Sequence, residues 1–115
     1  VDIFHCSQRR FWEPEFEGSE LNLAGWTRKI TDKPAITVGS VGLNADFIPV
    51  PGEVTFREAE PASLDELERR LSDNEFDLVA VGRALISNPS WVDMIRDDRP
   101  DDIKPFRKEH LGQLV

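Results

Sequence analysis

The sequence contains no tyrosine, a single cysteine, a single methionine and two histidines among 115 residues. Each shortage excludes something. One cysteine, Cys6, cannot close an intrachain disulfide, which argues against a stapled secreted module and suits a reducing, cytoplasmic setting. So few histidines and cysteines leave no zinc-ligand spacing, and neither a Walker glycine loop nor a serine nucleophile elbow is present. Positive charge is also short. Lysine and arginine number 14 against 22 acidic residues, for a net charge of −8, so no general attraction to nucleic acid or anionic membrane is expected. No apolar run approaches the ~20 residues that span a bilayer.

What is present suffices for one modest domain, since a chain of this length buries roughly 65% of its unfolded surface. Val1 is not a start methionine and strand character begins at once, so the expectation is a piece of a longer chain. A first strand is predicted over Asp2 to Ser7, with Ile3, Phe4 and Cys6 suited to a buried parallel sheet. Ser19 is the predicted N-cap of a helix whose apolar positions are Leu21, Leu23, Ala24, Trp26 and Ile30, ending before Asp32 to Pro34. A second strand covers Ala35 to Val38. Asn44 to Ala62 has no period and reads as a long excursion. "SLDE" at Ser63 to Glu66 predicts a capping box, with Leu64, Leu67 and Leu71 on one helix face and an ion pair from Glu66 to Arg70. The third strand is Asp77 to Val81. A short helical turn over Ala84 to Ser87 follows. Pro89 is predicted at the first position of a helix buried through Trp91, Val92, Met94 and Ile95. Strands separated by helix-length segments predict an α/β fold with parallel crossovers.

In such folds ligands sit at the carboxyl ends of the strands. Here those ends are Ser7 to Arg10, Gly39 to Gly42, and Gly82 with Arg83. Glycines allow a ligand close to backbone N–H groups, and a guanidinium adds a fork of charged donors, which together suit a phosphate. The same residues support a plainer reading, in which the glycines turn the chain and Arg83 pairs with a surface carboxylate. Arg9 and Arg10 lie on the expected ligand face, though either could pair with Glu13, Glu15 or Glu17. His5 reads as a core or inward-facing residue, Cys6 as a small hydrophobe, and Phe11, Trp12 and Trp26 as core.

Three stretches, "DIFHCSQRRFWEPEFEGSELNLAGW", "PAITVGSVGL" and "FDLVAVGRALISNPSW", in that order and spacing, resemble the C-terminal portion of the old yellow enzyme family of flavin-dependent NAD(P)H oxidoreductases. The resemblance covers nearly the whole chain. It implies strands six to eight of a TIM (β/α)8 barrel. It also implies FMN held by its phosphate at Gly39, Ser40, Val41 and Gly42 together with Gly82 and Arg83. NAD(P)H would be the reductant and an activated alkene, such as an enone, the substrate. Arg9 lies where a substrate or lid role is possible. The family's flavin-ring residues, substrate-gripping pair and proton-donating tyrosine belong to earlier strands and loops, so no catalytic residue is assigned here. The chain alone is expected to be inactive and to need the rest of a barrel, with homo-oligomers possible. Two alternatives remain open: the phosphate-binding part of a non-flavin TIM-barrel enzyme, and a non-catalytic α/β binding or assembly module.

Overall fold

The computed structural model describes residues 1–44 and 58–112. Three parallel strands, β1 (Phe4–Ser7), β2 (Ala35–Val38) and β3 (Leu78–Val79), form one sheet in the order β1-β2-β3. Cys6 pairs with Thr37 and Thr37 with Val79, which fixes the register. Among the described residues, four α-helices, α1 (Leu23–Thr31), α2 (Asp65–Ser72), α3 (Arg83–Ser87) and α4 (Trp91–Arg96), are followed by 3-10 segments at Pro100–Asp102 and Lys108–Gly112. This is the α/β class that the alternation of strand and helix patterns predicts.

The helix starts differ from expectation. Asn22, not Ser19, caps α1, its Oδ1 accepting from the Gly25 N–H at 2.8 Å. Ser19 instead accepts from the N–H of Leu21. An amide can cap and donate at once, and the Asn22 Nδ2 also donates to the Phe11 carbonyl at 2.9 Å and to the Thr37 hydroxyl at 3.0 Å. A hydroxyl at Ser19 has no such reach. Asn22 is accordingly fully buried.

The capping box at Ser63 does not form either. The Ser63 hydroxyl accepts from the Asp65 N–H, and the Glu66 carboxylate turns to Arg69 at 2.7 Å and Arg70 at 2.8 Å. Two guanidinium partners outcompete a neutral backbone donor. The expected Glu66–Arg70 pair is present, but Arg70 is more than a surface partner. Its side chain is 6% exposed and reaches Glu75 as well as the carbonyls of Glu20 and Trp12.

Other expectations shift by a residue or a face. The first strand begins at Phe4, and β3 is only two residues long. Pro89 lies in the turn before α4, whose cap is Ser90. Trp91 is buried, while Val92, Ile30 and Leu71 are exposed. Residues 45–57 of the expected excursion lie outside the described residues, but its two ends are joined. Leu43 bridges Pro61, and the Ala62 N–H donates to the Gly42 carbonyl at 2.8 Å.

One sheet face carries the core. Cys6, Ala35 and Thr37 are buried on the side packed by α1, within a cluster that includes Phe11, Ala24, Phe76 and Phe106. His5, Ser7 and Leu78 point to the other side and are exposed. His5 is therefore not a core residue. Its neighbour across the ladder, Ile36, is half-buried. No helix among the described residues is long and apolar enough to cross a membrane.

Candidate functional site

Because the three strands run parallel, their carboxyl ends meet at one edge of the sheet. A cleft of about 660 Å³ opens there. Its lining includes Arg9 after β1, Gly39, Ser40 and Val41 after β2, and Gly82 with Arg83 after β3. Segments far apart in the chain are thus brought to one place. Gly42 is not part of that lining; it borders a neighbouring cleft with Phe11 and Trp12.

The turn after β2 is built from left-handed backbone. Gly39 has φ 139°, Ser40 φ 53° and Gly42 φ 72°. Side chains rarely adopt such angles, and Gly39 has a second reason for lacking one. A Cβ there would lie 2.5 Å from the Gln8 carbonyl oxygen. A Cβ at Gly42 would press to 3.1 Å from the Trp91 ring. These two glycines let the turn pack against its own protein. The carbonyls of Gly39, Ser40 and Gly42 accept from Phe11, Leu43 and Ala62. Among the described residues, the N–H groups of Val41 and Gly42 donate to no backbone carbonyl.

Gly82 differs from both. Its φ is −109°, and an added Cβ would meet nothing within 4 Å. Gly82 lines the cleft. Arg83 follows directly and opens α3. Its Nη2 donates to the Ser40 hydroxyl at 3.2 Å, and its guanidinium lies 5.4 Å from the ring centre of Phe106. Phe106 is completely buried and pairs with Ala59 through an antiparallel bridge. An aromatic face beneath a guanidinium favours the cation and restricts its motion.

Ser40 links the two arginine-bearing loops. Its hydroxyl accepts from Arg83 and donates to the Arg9 carbonyl at 2.8 Å. The bridge made by the Ser40 side chain is a feature that the sequence pattern did not indicate. Arg10 pairs with Glu13 at 2.6 Å, as one of the expected pairings allowed, while the exposed Arg9 has no ion pair among the described residues. Phe106 was not legible as a site residue, because nothing in "IKPFR" signals that the tail folds back under Arg83. Asn88 was missed too. It is buried, donates to the carbonyls of Ala84 and Lys104, and so ties the end of α3 to that tail.

The remaining candidates serve structure. Cys6 is buried, as expected of a small hydrophobe, and Phe11 is in the core. His110 lies 2.8 Å from the Ser87 hydroxyl and accepts from the Arg107 N–H, so its Nδ1 is occupied. No group of histidine, cysteine and carboxylate side chains among the described residues could hold a metal ion. No protein-family model matches the chain, and no curated protein matches it.

Proposed function

We propose that this chain forms the phosphate-holding part of an FMN-dependent NAD(P)H oxidoreductase of the old yellow enzyme type, built as strands six to eight of a TIM barrel. One observation carries the reading: Gly39, Ser40, Val41, Gly82 and Arg83 converge on one cleft at the carboxyl end of a parallel sheet. A phosphate in a TIM barrel is commonly held by the loops after the seventh and eighth strands. Those would be the loops after β2 and β3.

The residues suit the group. Gly82 leaves space where a Cβ would otherwise stand. Val41 lines the same cleft, and Arg83 is steadied by Ser40 and Phe106. With only five residues, α3 has little macrodipole to offer, so the charge on Arg83 carries most of the attraction. FMN bound there would supply hydride transfer from NADH or NADPH to an activated alkene. This chain's share is binding and orientation of the phosphate end, since it has no tyrosine to donate a proton.

Comparing FMN with riboflavin, which lacks the phosphate, tests the proposal. The 115-residue chain should bind FMN weakly and riboflavin more weakly still, with no alkene reduction. Arg83→Ala should weaken FMN about tenfold, the scale of one lost charge-assisted contact. Equal affinity for the two flavins, or an unchanged affinity in the variant, overturns the phosphate assignment. Binding of inorganic phosphate with no binding of FMN favours a non-flavin barrel enzyme instead.

A further inference from the structure

The chain carries a net charge of −8, yet no aspartate or glutamate among the described residues lines the 660 Å³ cleft, while two arginines do. A cleft with one sign of charge and low-dielectric walls concentrates the potential within it, even in a protein of opposite net charge. The two arginines stand on different footings. Arg83 is tied to Ser40 and rests on Phe106. Arg9 has its backbone fixed, because its carbonyl accepts from the Ser40 hydroxyl, but its guanidinium is exposed and has no carboxylate partner among the described residues. Neighbouring Arg10 takes Glu13, the nearest carboxylate in sequence. Much of the remaining wall is apolar: Val38, Leu43, Ile86 and Leu111.

We infer that Arg9 forms a second anion subsite in this cleft, which takes the carboxylate of a small apolar acid separately from the phosphate at Arg83. The ligand class follows from the lining. A planar guanidinium fork matches a carboxylate with two parallel hydrogen bonds, and the valine, leucine and isoleucine wall takes the hydrocarbon part. Within the proposed oxidoreductase, the substrate would then be an activated alkene bearing an acid group. The inference rests on this cleft being a ligand site, but not on FMN being its occupant.

The test is a nuclear magnetic resonance titration of the ¹⁵N-labelled chain at low ionic strength, with benzoate and inorganic phosphate as separate probes. Benzoate should shift the Arg9 Nε–H signal together with the amide signals of Val38 and Leu111. Benzyl alcohol, similar in size but uncharged, should bind at least about tenfold more weakly. Arg9→Gln should lower benzoate affinity about tenfold and leave phosphate affinity unchanged. Arg83→Ala should do the reverse. Arg9 is exposed, so its loss leaves the fold in place, and the amide spectrum of the core checks this. Equal binding of benzoate and benzyl alcohol, or benzoate binding unaffected by Arg9→Gln, overturns the inference. So does an equal loss of phosphate and benzoate in Arg9→Gln, because both arginines would then serve one anion. Benzoate binding through Arg9 without phosphate binding supports the second subsite and removes the phosphate reading above.

Discussion

Gly39 and Gly82 both follow a strand, and sequence alone gives them the same role. Their surroundings separate them. Gly39 combines φ 139° with a carbonyl oxygen 2.5 Å from any added Cβ, so Gly39→Ala forces a backbone shift and should cost at least about 2 kcal/mol. Gly82 has open space around it. Gly82→Ala should keep the stability within about 0.5 kcal/mol of wild type, while lowering affinity for inorganic phosphate. Thermal melts of the two variants, with and without phosphate, check both outcomes. A destabilised Gly82→Ala would show that Gly82 is there for the fold. Glycine after a strand is therefore legible as a break, but its reason is not, because it depends on residues 30 or more positions away. The capping role of Asn22 and the burial of Arg70 were not legible either. Their partners, Thr37, Trp12 and Glu20, become neighbours only once the sheet and α2 have assembled.

Helix α2 shows how local charge can override a local capping signal. Hydrogen bonds from Arg69 and then Arg70 hold the Glu66 carboxyl down to about 2, from an ordinary 4.5. A carboxylate with a depressed folded pKa stabilises the fold above its unfolded value. That contribution is lost as pH falls from about 4.5 toward 2. Glu75 behaves oppositely. Removal from water raises its pKa by more than Arg70, 3.3 Å away, lowers it, so its stabilising share lies below the ordinary carboxylate value and fades as pH rises. Glu66→Gln should lower stability at neutral pH by about 0.5–1 kcal/mol, a figure discounted for the half-exposed position of Glu66, and should flatten the melting curve's acid limb. Glu75→Gln should be neutral or stabilising at pH 7. Arg70→Ala should cost about 3 kcal/mol, since it strands the largely buried Glu75 and removes the donor to the Glu20 and Trp12 carbonyls. Melts between pH 2 and pH 7 separate the three; a Glu66→Gln variant with the wild-type acid limb would remove the assigned cause. The pair was readable from its i,i+4 spacing, but its weight was not, because spacing carries no information on burial.

For the molecule as a whole, the α/β class and the parallel direction of the strands follow from strands separated by helix-length segments. Which sheet face is left uncovered does not. Alternation along β1 and β2 puts Cys6, Ala35 and Thr37 under α1, and leaves Ile3, His5 and Leu78 exposed with Ile36 and Val38 half-covered. Among the described residues, β1 and β3 are both edge strands, each with backbone groups open to a further strand. Leu78 is 52% exposed at one of those edges, directly beside Ile36 in the ladder. An apolar face flanked by two open edges lowers its free energy by pairing, and in a solution of this chain the available partner is a second copy. Sedimentation velocity should show a weight-average mass that rises with concentration over roughly 10–500 μM, the range in which modest apolar interfaces form. Leu78→Lys places a charge on the edge and should shift the mass toward monomer with little loss of stability, because Leu78 contributes little to the core. A mass that stays monomeric throughout would mean that the face is closed within one chain. A Leu78→Lys variant that associates as strongly as wild type would place the contact away from β3.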